Sequence, residues 1–465
     1  MGRRTAISEL GQMSGDTEKR SRLKQWLESG EAKLHPAAFP QRELWEASPV
    51  PATDVSNNIC TVTKVKGLVS RELSEKALAM VVERQEILRL SILPGNNGPV
   101  QLVRKTRKPA LRFRLAPPDF GDQALDNLID ELIRTPFDLV AGPLYRVEVI
   151  TLSAEEHVLV FVIHHAIADG WTLGIFMTDL FTAYASLVLG VSGGLEPLSQ
   201  TYTEWGAADR SFWQPKVIRA RLPFWVEQLA GAERLFDAPE IPPADVGKRG
   251  RWVSEIPGDR IESLRESSSR LSATLFSTVL TAFQVVMASA TGKEDILVGS
   301  PVAQRNKKVS WETMGSFAGI VPLRSKIDKH LTYSDQVAVT HQMTLDSFAH
   351  AMPFSELVTG LEEAVIPGRN PIFDVRFALQ NHPVPDVSMP GIEVEYRTRS
   401  TGTSRFDLAC ELTEIGKTME VVWLFREDMF SPSDVERLHH HFNLLLVVIG
   451  EESNATIANL IDRLS

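Results

Sequence analysis

An apolar run in the first half of the chain places the strongest limit on the fold. In His157-Val-Leu-Val-Phe-Val-Ile163, apolar side chains point to both faces of a strand, which is typical of a strand buried in the middle of a layered sheet. A histidine pair ends the run, and residues 171–189 have the pattern of an amphipathic helix. We therefore predict a strand-turn-helix unit, with Asp169 and Gly170 in the tight connection at the edge of the sheet.

The chain length predicts two domains. At 465 residues the chain exceeds the roughly 250 to 300 residues at which a single hydrophobic core stops growing. Residues 238–248 are polar and rich in proline, so they are the best candidate for a linker, and we predict subdomains at 35–237 and 249–465. Residues 1–34 are polar and charged, which is typical of a mobile tail or a short helical docking segment.

Helix and strand patterns alternate in both predicted subdomains. In the first we expect a strand from Asn58, a helix from an N-cap at Ser70 to about Arg89, and strands at 100–104 and 145–152. In the second we expect helices at 272–290, 335–350 and 432–449, and strands at 296–302, 372–379, 392–396, 406–412 and 419–425. The expected fold class is α/β, with two halves built on mixed sheets.

Composition and charge exclude several classes of protein. The 43% hydrophobic and 23% charged residues are typical of a folded globular chain, and a net charge of -10 does not suit binding to nucleic-acid phosphates. The two cysteines, Cys60 and Cys410, form neither a disulfide framework nor a metal-binding spacing, and we predict no metal site. Since no signal region and no uninterrupted apolar run of about 18 to 20 residues is found, we expect no membrane span and a cytoplasmic location.

The histidine pair is the strongest chemical signal. Only 11 residues are histidine, yet two are adjacent and precede an Asp-Gly pair in His164-His165-Ala-Ile-Ala-Asp169-Gly170. A neutral imidazole can accept a proton from an attacking amine or hydroxyl, or hold that group by a hydrogen bond. Because successive side chains on a strand point in opposite directions, we predict that His165 faces the cleft as the catalytic residue and that His164 is a buried supporting residue.

Asp169 and Gly170 leave alternatives open. Asp169 either orients the imidazole, as in a catalytic triad, or pairs with an arginine to fix the loop, and we favour the second role. Gly170 allows the backbone to approach a ligand closely, and its N–H is a candidate donor to an oxyanion.

Further segments repeat a known order of motifs. They are Phe39-Pro-Gln41-Arg42-Glu-Leu44-Trp45, Glu83-Arg84-Gln-Glu86-Ile-Leu88-Arg89, His164 to Trp171, Tyr202-Thr-Glu-Trp205, Gly299-Ser-Pro-Val-Ala-Gln-Arg305, Met314-Gly315-Ser-Phe317-Ala-Gly-Ile-Val321-Pro-Leu323-Arg324, Pro353-Phe354-Ser355 and Gly368-Arg369-Asn370-Pro371. In these segments the chain resembles the condensation domains of nonribosomal peptide synthetases, from about Pro36 to its C-terminus.

The resemblance implies two chloramphenicol-acetyltransferase-like subdomains in a V-shaped pseudo-dimer with a central tunnel. It implies that His165 positions or deprotonates the acceptor, and that Asp169 forms a salt bridge to Arg84 or Arg305. Trp171 completes the motif as a supporting residue. Thr172 replaces the more usual serine and Ser355 stands where an acidic residue is frequent, which leaves substrate specificity open.

The function that the resemblance implies is acyl transfer. A carrier-protein-bound acyl or peptidyl thioester is condensed with an amine or hydroxyl, free or carrier-bound, to give an amide or ester in nonribosomal peptide or hybrid polyketide biosynthesis. We expect a free-standing enzyme that binds no cofactor itself, because the partner carrier protein supplies the phosphopantetheine. The alternatives are a CoA-dependent acyltransferase, for which no Lys/Arg cluster lies near the motif, and a non-catalytic carrier-binding scaffold, against which the intact His165, Asp169 and Gly170 count.

Overall fold

The apolar run forms the central strand of a five-stranded sheet. In a computed structural model of the chain, β7 (Glu156–His164) lies between β2 (Asn58–Lys66) and β6 (Tyr145–Thr151). β5 (Leu111–Leu115) pairs with β6, and β12 (Glu393–Arg399) pairs with β2. Only β5 and β6 are parallel; the other neighbours are antiparallel.

The structure describes residues 16–46, 55–117, 120–191, 194–238, 250–305, 310–363, 369–380, 391–399, 404, 406–451 and 454–464. The chain packs as two units. Unit 1 comprises residues 1–213, 304–317 and 383–401, and unit 2 comprises residues 214–303, 318–382 and 402–465.

Helices cover both faces of the sheet in unit 1, which explains why β7 is apolar on both sides. α3 (Arg71–Arg84) and α5 (Gly170–Leu189) pack on one face, where Phe161 of β7 stacks on Phe176 of α5 with ring centroids 3.6 Å apart. α4 (Asp122–Arg134) packs on the other face. Every residue from 157 to 164 is buried.

Unit 1 also contains a small antiparallel sheet in the order β1 (Ala32–Pro36), β4 (Val100–Arg104) and β3 (Leu90–Leu93). Its remaining helices are α1 (Asp16–Glu28), α2 (Phe39–Glu46) and α6 (Tyr202–Phe212). Single 3-10 turns occur at Glu86–Arg89 and His165–Ile167.

Unit 2 is built on a six-stranded mixed sheet. The strand order is β10 (Gly319–Lys326), β9 (Asp295–Val302), β11 (Val375–Gln380), β13 (Leu408–Ile415), β14 (Thr418–Phe425) and β8 (Gly250–Ile256). Its helices are α7 (Pro215–Leu229), α8 (Gly258–Arg270), α9 (Leu275–Thr291), α10 (Tyr333–Ala349), α11 (Phe354–Gly360), α12 (Pro432–Glu451) and α13 (Ile457–Asp462). With parallel and antiparallel neighbours in both large sheets, the predicted α/β class with mixed sheets is confirmed.

Two helix predictions were wrong at their ends. Ser70 does cap α3, its side chain accepting from the N–H of Leu73, but α3 ends at Arg84 because the backbone of Gln85 is extended and a 3-10 turn follows. The helix expected at 272–290 is α9, which begins at Leu275, three residues later than predicted, and α8 before it was not predicted. Ser272 has a positive φ of 52° between them, and Thr274 starts α9 as an N-cap.

The two units are not divided at a single linker, because each is made of three separate stretches of sequence. Residues 304–317 and 383–401 belong to unit 1 although they follow much of unit 2 in sequence. A single division into 35–237 and 249–465 does not describe this packing. The predicted linker at 238–248 lies outside the described residues except for Ala238, and the predicted tail at 1–34 contains α1 and the start of β1. The V-shaped pseudo-dimer with a tunnel stays a prediction.

α5 has the length and apolar composition of a membrane-spanning helix, and α8 with α9 passes the same test only as a pair bent by 101°. However, 56% of the most apolar 18-residue window of α5 is buried inside the structure. Its single charged residue, Asp179, is also buried. This is the setting of a core helix, which must be apolar all round when it is enclosed by protein.

Candidate active site

The end of β7 delivers the histidine pair. His164 is the last residue of the strand and lies opposite Asn58 of β2. The Asn58 amide fixes this edge by donating to the carbonyls of Ile133 (2.7 Å) and Thr135 (3.1 Å). The backbone then leaves the sheet in the 3-10 turn His165–Ile167.

His164 supports this turn. Its Nδ1 accepts a hydrogen bond from the Ala166 N–H (3.1 Å), its residue is only 6% exposed, and the edge of Phe137 lies against it at a centroid distance of 6.3 Å. An accepting Nδ1 assigns the proton of the neutral ring to Nε2. His164 thus acts as the N-cap of the turn, a structural use of an imidazole.

His165 is only partly buried, in contrast to His164. Its backbone N–H donates to the Asn57 carbonyl (2.7 Å), and its carbonyl accepts from the Ala168 N–H (3.3 Å). His165 begins the turn and is not part of the strand. The different surroundings of the two histidines therefore follow from the turn, and not from the alternation of side chains along a strand. The catalytic role of His165 stays a prediction.

Asp169 is held by an ion pair and a helix cap. Its carboxylate is buried and accepts from Arg305 Nη2 (2.8 Å) and Nε (3.1 Å), from the Thr172 N–H (3.0 Å) and from the Phe317 N–H (3.3 Å). It is the N-cap of α5 and forms a capping box with Thr172. These bonds occupy both carboxylate oxygens, and the geometry is that of the loop-fixing role.

Thr172 connects the motif to residues 304–317. Its hydroxyl oxygen accepts from the N–H groups of Gly315 (3.0 Å) and Asp169 (3.3 Å), and lies 3.0 Å from both Asp169 Oδ1 and the Gly315 carbonyl. Gly315 is packed so closely that a Cβ there would lie 2.2 Å from the Tyr202 ring. The Tyr202 hydroxyl donates to the Ser316 carbonyl (2.8 Å), and burial raises the pKa of Tyr202 well above its usual value.

Arg305 is enclosed by aromatic rings and carbonyls. Its guanidinium carbon lies 3.9 Å from the ring centre of Phe317 and 5.7 Å from that of Trp171, within the range of cation–π attraction. Its Nη1 donates to the carbonyls of Ser310 and Thr313. Trp171 therefore packs beside the ion pair, as a supporting residue would.

Of the two arginines considered as partners of Asp169, the structure selects Arg305. Arg84 instead pairs with Asp179 through both carboxylate oxygens (2.8 and 2.9 Å) and with Glu312 (2.8 Å). Asp179 also accepts from the Gln85 amide (2.8 Å), which in turn donates to the Glu312 carbonyl (2.9 Å). Arg84 does not bind Asp169 because it lies at the end of α3, and there it meets α5 at Asp179, further along the helix than the motif.

Gly170 is the first residue of α5. The first N–H groups of a helix have no acceptor within the helix, and the Asp169 side chain binds that of Thr172. The N–H groups of Gly170 and Trp171 are thus the ones a helix N-terminus offers to a ligand. The oxyanion role of Gly170 stays a prediction.

Several residues that build the site carried little signal in the sequence. Gln85 and Tyr202 stand in two of the motif segments and Glu312 stands outside them, and none of the three has a pattern that predicts its contacts. Asp179 did have one, since it is the only charged residue in the twenty-residue α5, and a lone acid in an apolar helix indicates a buried ion pair. Among the described residues, no group of three or more His, Cys, Asp or Glu comes together in a way that could hold a metal ion.

Comparison with known proteins identifies the family. The Condensation domain family model matches residues 31–461. The chain belongs to the condensation domain family. Among curated proteins, this condensation domain is 30% identical over 467 residues to a linear gramicidin synthase of Brevibacillus parabrevis (98% of this chain and 9% of that protein). It is 27% identical to the phosphinothricin tripeptide synthetase PhsC of Streptomyces viridochromogenes (91% of this chain and 40% of that protein).

Solved structures show the same fold. The condensation domain of the monacolin K polyketide synthase MokA superposes with a TM-score of 0.79 at 19% identity, covering 92% of this chain and 99% of that one. SgcC5 of Streptomyces globisporus gives a TM-score of 0.77 at 19% identity, covering 90% of this chain and all of the other. The condensation domain described here thus spans under half of these two curated relatives and nearly all of these two solved chains.

Proposed function

We propose that this condensation domain joins a carrier-protein-bound acyl or peptidyl thioester to an amine or hydroxyl acceptor. The observation that carries the proposal is the contrast between the two histidines. His164 is buried and committed to the turn, whereas His165 is partly exposed at the end of a rigid central strand. A side chain on a rigid element can be held at the geometry that proton transfer needs.

The proposed step balances without a further reactant. The acceptor nitrogen or oxygen attacks the thioester carbonyl, the new C–N or C–O bond forms, and the C–S bond breaks. His165 accepts or orients the acceptor proton, which leaves with the phosphopantetheine thiol of the carrier protein. The N–H groups of Gly170 and Trp171, at the start of α5, would stabilise the developing oxyanion.

An amide product is favoured over an ester. PhsC is named a tripeptide synthetase, and peptide synthesis forms amides. We place the reaction in nonribosomal peptide or hybrid polyketide biosynthesis, with the phosphopantetheine supplied by the carrier protein. We also place the protein in the cytoplasm, since both cysteines are buried in the reduced form and reduced thiols persist there.

Intact-protein mass spectrometry tests the proposal. An acyl-loaded carrier protein is incubated with candidate amines and alcohols and with the wild type, His165→Ala or His440→Ala. His440 is an exposed histidine on α12 of unit 2, so its variant controls for the loss of an imidazole. Loss of the acyl group from the carrier and appearance of a coupled product are expected with the wild type and the control, and a fall of about 100-fold or more with His165→Ala.

The identity of the product separates amide from ester formation. Equal product with His165→Ala, in a variant whose thermal unfolding is unchanged, would remove His165 from the mechanism. No product from the wild type with any loaded carrier would overturn the proposed function and favour a carrier-binding scaffold.

A further inference from the structure

A cleft of about 550 Å³ lies in unit 1, and none of its lining residues belongs to the histidine motif. It is lined by β1, by the end of β4, by the 3-10 turn after α3 and by the start of α6. Five of its lining side chains are basic: Lys33, His35, Arg89, Arg104 and Lys105. This is a concentration of positive charge in a chain whose net charge is -10.

The two carboxylates of the cleft are committed to structural bonds. Glu86 accepts from the Thr203 N–H (2.9 Å) and hydroxyl (2.7 Å). Glu204 accepts from the Thr201 N–H (2.8 Å) in the capping box of α6. Neither carboxylate pairs with a lysine of the cleft.

One of the basic side chains is structural as well. The Arg89 guanidinium donates to four backbone carbonyls, and burial lowers the pKa of Arg89. The acceptors are the carbonyls of Val82 (2.9 Å), Glu83 (3.2 Å), Arg104 (2.7 Å) and Lys105 (2.6 Å). Arg89 therefore fixes the cleft wall, and an incoming ligand would meet the other cations.

The remaining cations lack a counter-charge in the part of the chain that the structure describes. Lys33 and Lys105 are exposed and form no ion pair there. Lys33 lies opposite Val103 in the β1–β4 ladder, and the Lys105 N–H continues that ladder by donating to the Glu31 carbonyl (2.7 Å). Lys33 and Lys105 are thus diagonal neighbours, about 7 to 8 Å apart on one face. Like charges on neighbouring side chains repel, and an anion bound beside them offsets that repulsion.

α1 extends the same positive surface. Arg104 lies 4.2 Å from the ring centre of Trp26 and Arg22 lies 5.1 Å from it, so both guanidinium groups are within cation–π range of the indole of α1. Arg22 and Lys24 are exposed, and Lys24 is paired with Glu28 of the same helix (3.7 Å). We define the basic surface as the side chains of Arg22, Lys33, Arg104 and Lys105.

We propose that the basic surface is a docking site for an acidic protein surface, and that its occupant is the carrier protein. This inference rests on the proposed function. The positive charges are spread over a helix and a sheet edge, and they do not converge on one point. Such a spread suits several carboxylates on a protein partner better than one phosphate group, and complementary charge raises the rate and specificity of docking.

A pair of matched charge reversals tests the inference. Lys33→Glu/Lys105→Glu alters the basic surface, and Lys326→Glu/Lys417→Glu makes the same change in net charge at exposed lysines of unit 2. Dissociation constants of the full chain for apo and holo carrier protein are measured by titration calorimetry at low and high salt. At low salt the first variant is expected to raise the Kd about 10-fold for both carrier forms, and the control to change it less than about 2-fold. The difference should shrink at high salt because exposed charges are screened.

Turnover separates a docking defect from a catalytic one. The first variant should lower kcat/KM for the carrier-bound donor and leave turnover of a small soluble thioester mimic unchanged. Equal weakening by both variants would overturn the inference, since it would show a general charge effect. Weakening of the holo carrier alone would also overturn it and assign the surface to the phosphate of the arm. If the wild type condenses a loaded carrier while the first variant keeps the wild-type Kd, the docking site is wrong and the proposed function stands.

Discussion

Replacing Arg305 with alanine is expected to destabilise unit 1 by about 3 to 5 kcal/mol, the usual cost of removing one partner of a buried ion pair. The Arg305 side chain is 1% exposed and that of Asp169 is 4% exposed. Two hydrogen bonds join them, at 2.8 and 3.1 Å. A hydrogen bond to a charged group contributes about 1.5 to 3 kcal/mol, so two of them give about 3 to 6 kcal/mol before the structure relaxes.

Urea unfolding followed by tryptophan fluorescence measures this cost. Trp171 and Trp311 lie 6.0 Å apart, and Trp171 is beside Arg305, so they report on this part of unit 1. The double variant Asp169→Asn/Arg305→Ala should be less destabilised than the sum of the single variants by about 2 kcal/mol, because it leaves no unpaired buried charge. Arg71→Ala, which removes an exposed i,i+4 pair with Glu75, is the control and should cost no more than about 0.5 kcal/mol. A cost below about 1 kcal/mol for Arg305→Ala, with additive single variants, would refute the reasoning.

Two further predictions concern packing and pH. Gly315→Ala should lower the free energy of unfolding by about 1 to 3 kcal/mol, because its Cβ would lie 2.2 Å from the Tyr202 ring. The control is Gly121→Ala, where a Cβ meets no atom within 4 Å. Equal unfolding midpoints for the two variants would contradict the clash. Burial lowers the pKa of His439 from its ordinary 6.5 to about 4. The residue therefore binds a proton more readily in the unfolded chain than in the folded one. Its contribution to stability should be complete above pH 6.5 and should be lost as the pH falls toward 4. The loss of stability is on the order of 2 to 3 kcal/mol. The free energy of unfolding, measured from pH 7 to pH 4, should depend less on pH in His439→Gln than in the wild type. Identical pH profiles would contradict this prediction.

Local patterns made much of the fold predictable. The apolar run at 157–163 predicted β7 and its burial, and an N-cap residue predicted the start of α3 at Ser70. Such features depend on a few neighbouring residues, so spacing and residue type are enough to recognise them. α8 was missed because Pro257, its N-cap, makes no side-chain cap hydrogen bond and carries no N-cap signal. The start of α9 was placed at Ser272 and not after Thr274 because serine and threonine are both N-cap residues.

Long-range pairing could not be predicted from spacing. β12 pairs with β2 from Glu393 opposite Lys66 to Arg399 opposite Cys60, across more than 300 residues of sequence. Arg399 then pairs with Asp126 (2.9 Å) and Asp130 (2.7 Å) of α4. Nothing in the local sequence of either strand names its partner, since both are ordinary strands with alternating side chains.

The candidate site shows the same division between local and distant information. The motif itself was visible in seven residues, but its support was not. Asp169 and Asp179 lie ten residues apart at the cap and in the body of α5, about 15 Å along the helix, and each is bound by an arginine. Both arginines also bind residues of the segment 304–317, Arg305 as part of that segment and Arg84 through Glu312.

The buried Arg305–Asp169 ion pair explains how a distant segment finds one register on α5. Apolar packing tolerates small shifts, whereas a buried charge out of register leaves its partner unpaired at a cost of several kcal/mol. A second contact of the segment, from Glu312 to Arg84, lies near Asp179, about 15 Å along α5. It adds less, because the Glu312 side chain is 69% exposed. Once docked, the segment supplies the Phe317 N–H and the Arg305 guanidinium to Asp169, and Asp169 caps the helix that follows the histidine turn. The setting of His165 is therefore a property of the assembled unit 1 and is not contained in the seven-residue motif alone.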